Sequence, residues 1–533
     1  MSLPTIPHHW LSLPNEILND ICSQLTDRDI KNLRLTCSHF KDVVPLRLDR
    51  VFISANPRDV DVFSAIAAHD VLRRQVVEII WDDALLQETG WFVGDEDDAA
   101  DYKDAPKWFS RDCGESLWEI TSSSETLRME AAEWTKIPLL PISECWVYYQ
   151  QLFQQQREVL QSGAHNRALE DAWRLRRFPN VRSVTVTPAA HGRLFFPLFK
   201  TPTIRAFPPG FVYPIPRGWP SSKDMVLELD EWGDAGDNFS YPNGNDWQGF
   251  RAVTSILARY PYDLTELRVD AFKVSSGLNV RMFEKPCRAL ADFITIITRP
   301  SFQRLHLDLM TGGQDQLGWP AFTSGHLARA LSAAQLKSLS IRTDVATAAG
   351  DGEVEAVSPP SLSTIFTRAN MSCLRHFGLS GFFIREDDLM RTLADLPHAL
   401  LQTVELSFLR FDRELWATYS YDCRYIVEET FGHLLERIRD ELPWQDVSLT
   451  VGDNLPYYME GRAIWVNVDN FLHSGGANPF SADKWGMYME DGFGVVKDLF
   501  DEAYERPDVS DEQLEYMGYR CWGTYPCNEQ CRW

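Results

Sequence analysis

The chain has 533 residues, 44% of them hydrophobic and 12% aromatic, so it can bury more core than one ordinary domain needs. Its 76 acidic side chains outnumber 52 basic ones, giving a formal charge of −24. That field repels nucleic acid and anionic membrane surfaces and favours basic partners. In chain order, residues 1–9 read as a loose tail. Its pair His8-His9 has no acid or thiol at a ligand-like spacing and is expected to be solvated.

Residues 10–45 carry the most specific pattern. Leu13-Pro14 opens a helical stretch, where proline's missing N–H loses nothing in the first turn. Ile17, Leu18, Ile21, Cys22 and Leu25 recur at steps of three and four and form one apolar face. Thr26, Asp27 and Asp29 offer capping oxygens for a following helix that places Ile30, Leu33, Cys37, Phe40 and Val44 on one face. Two or three short helices of this size cannot bury enough surface to stand well alone, so their apolar faces need cover.

Leu13-Pro14-Asn15-Glu16-Ile17-Leu18, Ile21, Leu25 and Leu33-Arg34-Leu35-Thr36-Cys37-Ser38-His39-Phe40 resemble the F-box. That module docks receptor proteins onto the Skp-family adaptor of cullin–RING ubiquitin ligases. Many F-boxes carry Trp where this chain has Phe40, which keeps an aromatic anchor of smaller area. The resemblance implies that Leu13, Pro14, Ile17, Leu18, Ile21, Leu25, Leu33, Cys37 and Phe40 form the adaptor face and the small internal core. Sequence does not separate the two roles.

Beyond it, Leu48, Val51 and Ile53, then Val76 to Ile80, read as short buried strands, with a turn and helix over Pro57–His69 between them. Residues 82–116 change character. Asp95-Glu96-Asp97-Asp98, Asp101 and Asp104 form an acidic run without an apolar period, expected as a solvated loop or as a trap for a basic target. Residues 143–178 read as a helical hairpin broken at Gly163, with Trp146, Tyr149, Leu152, Phe153, Leu169, Trp173 and Leu175 as core positions.

From Val181 a spacing recurs: apolar, two residues, apolar, one residue, apolar. It appears as Val181/Val184/Val186, Leu264/Leu267/Val269, Phe302/Leu305/Leu307, Leu336/Leu339/Ile341, Leu374/Phe377/Leu379, Leu401/Val404/Leu406 and Trp444/Val447/Leu449, with Val226–Leu229 as a weaker member. Most copies follow a helical segment and a proline, as at Pro261, Pro300, Pro397 and Pro443. Helices alternating with short apolar strands demand parallel pairing through crossovers. A repeated turn of chain of this kind predicts an irregular leucine-rich-repeat-like solenoid, so the fold class expected is mixed α/β. The whole resembles F-box proteins with a leucine-rich-repeat-like receptor domain, a kind common in fungi. Residues flanking the buried strand positions point outward. Candidate target-binding residues are therefore Arg268, Asp270, Arg304, His306, Asp308, Arg342, His376 and Glu405.

The expected divisions are the tail (1–9), the F-box (10–45), first strands with acidic loop and helical linker (46–175), the repeat domain (176–452) and a capping region (453–533). Asp230 to Asp237 lacks the ligand order of a calcium loop, and residues 343–360 read as a flexible connection. Cys521, Cys527 and Cys531 lack a fourth ligand and read as free thiols. The ten scattered cysteines suit a reducing compartment, and no membrane span or signal peptide is visible, so cytoplasm or nucleus is expected. The sequons at Asn238 and Asn370 then read as chance matches.

No phosphate-cradling Gly-rich loop, His-Glu-x-x-His helix or Gly-x-Ser-x-Gly elbow occurs, and no pair of acids stands out. No cofactor or metal is expected. The expectation is a non-catalytic substrate-recognition subunit of a Skp–cullin–F-box (SCF) ubiquitin ligase, partnered by the adaptor, through it a cullin, and a protein target. The alternative is an F-box scaffold that binds the adaptor without delivering a substrate.

Overall fold

The computed structural model describes residues 13–25, 27–44, 46–88, 105–122, 138–216, 218–220, 247–271, 276–311, 314, 318–344, 358–407, 409–411, 431–454, 463–478 and 490–492. The acidic run at 95–104, the weak strand match at 226–229, Asp230–Asp237, Asn238, residues 345–357, the His8-His9 pair and the three C-terminal cysteines lie outside them.

Three helices come first: α1 (Asn15–Ser23), α2 (Asp27–Thr36) and α3 (Ser38–Val43). Pro14 stands just ahead of α1, and its carbonyl accepts the Leu18 N–H at 3.0 Å. The helix expected to run from Ile30 to Val44 is broken at Cys37, which is extended (φ −160°). Thr36 Oγ1 turns back to the Leu33 carbonyl at 2.6 Å. Such side-chain competition for backbone groups explains why Thr-Cys-Ser interrupts the apolar period. Leu18, Cys22, Ile30, Phe40 and Val44 form a small core of their own.

The rest is built on one sheet. Its strands are β1 (Arg50–Ser54), β2 (Glu78–Asp82), β3 (Ser183–Thr187), β4 (Glu266–Val269), β5 (Leu278–Asn279), β6 (Arg304–Met310), β7 (Ser338–Thr343) and β8 (His376–Ser380). Then come β10 (Thr403–Ser407), β12 (Ser448–Asn454), β13 (Ala463–Asn467) and β14 (Glu490–Gly492); β9 (Phe383–Ile384) and β11 (Arg410–Phe411) pair separately. Spatial order follows chain order, and pairing from β1 to β12 is parallel. β13 and β14 close the far edge antiparallel. Parallel neighbours need a crossover, and the chain supplies helices for most of them.

One register row runs Val51, Ile79, Val184, Leu267, Leu305, Leu339, Phe377, Val404, Leu449, every member at most 1% exposed. β1 and β2, the strands expected around Leu48–Ile53 and Val76–Ile80, belong to the same sheet as the repeated copies from Val181 on. The last copy is slipped by two residues: Leu449, not Val447, pairs with Val404. A slip of two keeps the same face inward, so burial pattern alone cannot detect it.

The crossover helices pack apolar faces onto one side of the sheet. Phe250, Val253 and Leu257 from Gln248–Arg259, Leu290, Phe293 and Ile297 from Arg288–Ile297, and Leu389 and Leu393 from Glu386–Ala394 share a core with the strand residues.

A second core belongs to the long excursion between β2 and β3. Past α4 (Pro57–Ala68), which links β1 to β2, helix α5 (Lys107–Ser122) forms where no helix is expected, and α6 (Ile142–Ser162) leads through Gly163 (φ 64°) into α7 (Ala164–Arg174); Leu175, expected in the core, is 51% exposed just past its end. Trp108, Phe109, Tyr149, Phe211 and Tyr213 pack together there. Gln156 and Tyr149 on α6 bracket the backbone of Leu86 and Gln87 with bonds of 2.8–2.9 Å. Phe199 lies against Phe52 (ring centroids 6.2 Å apart), and Thr203 N donates to Asp59 at 2.9 Å. Phe199 thus covers the Arg50 and Phe52 side of the first strand, while Leu169 and Trp173 of α7 join the main core with Val51 and Ile53.

Trp219 and Trp81 donate to Asp83 at 2.7 and 3.2 Å. Gly249 lets the start of its helix approach the same carboxylate: a Cβ there would lie 2.2 Å from Asp83 Oδ1.

Candidate functional site

Two surfaces combine exposure with chemistry. The first is on the N-terminal helices. Leu18 (2% exposed) and Phe40 (8%) are internal, with Cys22, Ile30 and Val44. Leu13, Ile21, Leu25, Leu33 and Cys37 are half-buried, and Pro14 is exposed. Ile17 on α1 is 49% exposed and Leu35 near the end of α2 is 84% exposed. The structure thus divides residues that sequence left together, and it puts Leu35, absent from the candidate set, among the exposed apolar side chains. Its helical phase, two residues from Leu33 and Cys37 rather than three or four, was the signal available. Arg34 Nη1 donates to the Val44 carbonyl and Arg47 Nη2 to the Cys22 carbonyl, tying the helix ends.

The second surface is the polar side of the sheet between β4 and β10. Alternation places Glu266, Arg304 and His376 in one row, Arg268, His306, Ser340 and Glu405 in the next, and Asp308, Arg342, Ser380 and Ser407 in a third, with Asp270 just past β4. All eight candidates fall on this side. Arg304 meets Glu266 at 3.0 Å, while Arg268 lies 3.8 Å from Glu266 and 3.7 Å from Asp270. Asp308, 1% exposed, takes His306 Nε2 at 3.1 Å, Arg342 at 3.3 Å and the Ala271 N–H at 2.8 Å. The guanidinium and imidazole hold its carboxyl below the usual range despite burial, and the acids around Arg342 raise that guanidinium.

His376 bridges Ser340 Oγ (3.0 Å) and Thr403 Oγ1 (2.8 Å). Its ring lies over Gly378, where a Cβ would come within 2.7 Å of Ser340 Oγ. Burial lowers its pKa and favours the neutral ring. Among the described residues Glu405 has one hydrogen-bond partner, the Ser407 hydroxyl at 3.3 Å, and its charge reaches Arg342 and His376.

Ligand atoms of Asp270, His306 and Asp308 lie within 4.8 Å of one another, a spacing a cation could bridge. Arg342 and Arg268 already stand against those carboxylates, so the chemistry is that of an ion-pair network. The sequon at Asn370 is closed to modification: the side chain is 2% exposed and caps its own helix, bonding to Thr367 N at 2.9 Å. Among the described residues no helix is long and apolar enough to cross a membrane.

No curated protein matches the chain at a significant level. A family model described as F-box-like matches residues 10–50, the stretch that holds α1, α2 and α3, so the chain carries an F-box-like domain at its amino end.

Proposed function

We propose that the chain is the substrate-recognition subunit of an SCF-type ubiquitin ligase. The F-box-like domain docks to a Skp-family adaptor and through it reaches a cullin. The sheet acts as a leucine-rich-repeat-like array whose polar side binds a target protein. The subunit itself does no bond chemistry and works in the cytoplasm or nucleus. It holds a target near a charged conjugating enzyme and raises the effective concentration of the target's lysines.

The observation that carries this reading is the pairing of a filled internal core with apolar side chains left outside it. Leu18 and Phe40 are inside, while Ile17 and Leu35 face solvent beside an F-box-like signature. Exposed apolar side chains on a small unit whose own core is complete are available to a partner. We assign adaptor contact first to Pro14, Ile17 and Leu35, with Leu13, Ile21, Leu25, Leu33 and Cys37 at its margin.

The test is co-purification of the adaptor with full-length chain. Pro14→Ala combined with Ile17→Asp should abolish it while leaving the far-ultraviolet circular dichroism unchanged, and Leu35→Asp should weaken it. Normal adaptor recovery by the double variant would remove the docking assignment. Recovery of cullin in the same complex, with a bound protein that accumulates when the chain is deleted, separates a degradative receptor from a scaffold.

A further inference from the structure

We propose that Glu405 is a cation subsite of the strand surface, taking the ammonium of a lysine on the target. This rests on the receptor reading and narrows the chemistry of the target segment.

The acids of the open strands are not alike. Glu266 faces Arg304 at 3.0 Å, and Asp308 faces His306 at 3.1 Å and Arg342 at 3.3 Å. Asp270, just beyond β4, has Arg268 at 3.7 Å. Among the described residues of β4, β6, β7, β8 and β10, Glu405 is the acid with no cation at ion-pair distance. The nearest guanidinium influence comes from Arg342, whose head is committed to Asp308. Glu405 is half-buried, and its single hydroxyl partner leaves most of its acceptor capacity unused.

A second, independent feature lies beside it. The register sets Ser380 next to Ser407, the residue whose hydroxyl reaches Glu405. Ser380 is 5% exposed, and its Oγ has no hydrogen-bond partner among the described residues. A buried hydroxyl left unpaired costs free energy that a ligand could recover. An ammonium carries three donors and no acceptor. A partly desolvated carboxylate with a free hydroxyl one strand away suits it. A carboxylate or phosphate at the same place would meet the Glu405 carboxylate and be repelled. The formal charge of −24 adds a long-range pull on basic segments. Three of the four acids are neutralised within the molecule, so the surface does not attract cations everywhere; it concentrates that attraction at one strand.

The probe is a fluorescein-labelled octapeptide, Gly-Lys-Gly-Ser repeated twice, beside the same peptide with both lysines acetylated. Each is titrated into full-length chain bound to its adaptor and followed by anisotropy. The lysine peptide should bind and the acetylated one should not. Glu405→Gln, a nearly isosteric change, should weaken binding about fivefold, the scale of a partly buried ion pair. Ser380→Ala should weaken it less, and Glu405→Asp should retain part of it. Glu436→Gln, on an exposed position of the helix His433–Glu441, should leave it unchanged. The proposal is overturned if the wild-type chain ignores the lysine peptide, if Glu405→Gln binds as wild type, or if Glu436→Gln weakens binding equally. None of those results touches adaptor recovery, which fails only if the receptor reading itself is wrong.

Discussion

His191 and His165 are buried rings, 8% and 6% exposed. His191 Nδ1 shares a 3.0 Å bond with the Tyr213 hydroxyl, and the His165 ring lies 5.1 Å from Trp81 with Nδ1 unpartnered. Burial pulls them down, His191 to about 3 and His165 to about 4. A folded pKa below the unfolded value means that stability is present above pH 6.5 and lost as pH falls, roughly 1.4 kcal/mol per unit for each ring. Asp59, Glu78, Asp82 and Asp83 oppose this: burial raises all four, so acid relieves their cost. The two sets act with opposite sign as pH falls, and single substitutions separate them. His191→Gln should cost stability at pH 7 through the lost Tyr213 bond, yet shrink the loss between pH 7 and pH 5 by about 2 kcal/mol. Denaturant titration at both pH values measures it. An unchanged pH 7 to 5 difference would remove His191 from the account.

At the scale of elements, strands were easier to read than their partners. Each described triplet from Val181 to Leu406 sits in a strand and its flank, because a short strand between a helix and a turn has few ways to hide three apolar side chains. What the pattern lacked was neighbour information. The excursion that holds α5, α6 and α7 separates β2 from β3, so nothing local says that Ile79 pairs with Val184. At β12 the two-residue slip leaves burial parity intact and is settled only by pairing. For the binding surfaces, alternation gave the outward side of every candidate strand residue, but not which charges would cancel. Helical period gave the apolar stripe of α1 without saying that Ile17 would be outside and Leu18 inside. The register carries a direct consequence. Leu449→Ala, at a fully buried position paired with Val404, should cost about 2–5 kcal/mol. Leu400→Ala, 46% exposed beside the equally apolar Leu401, should cost under about 0.5 kcal/mol. Asn56, whose side chain accepts the Arg58 N–H at 2.9 Å ahead of the helix Pro57–Ala68, should cost about 1 kcal/mol as Asn56→Ala. Equal losses at Leu449 and Leu400 in urea unfolding would mean that β12 is placed wrongly.

Across the whole molecule, cohesion is uneven. The sheet core runs from Val51 to Phe471 as one cluster, while the F-box-like helices keep a separate core of five buried side chains. The chain passes between them at residues 46–48: Leu46 packs on the small core and Leu48 on the large one. Five buried side chains cannot offset the ordering of some thirty residues by much, since conformational entropy costs roughly 1–2 kcal/mol per residue. The small unit should therefore open first, below the main transition. Calorimetry of the full-length chain should show a minor low-temperature transition ahead of the sheet's. Leu18→Ala should lower the minor one by several degrees and leave the major one in place, because the two cores share no side chain. Adaptor binding, which selects the closed helices, should raise the minor transition by mass action, by about 2.7 kcal/mol at a hundredfold excess over Kd. The Pro14→Ala and Ile17→Asp double variant should lose that rise while keeping the major transition. A single transition that moves as a whole with Leu18→Ala would mean that the helices and the sheet unfold as one body, and that the unit presented to the adaptor is held in shape by the rest of the chain.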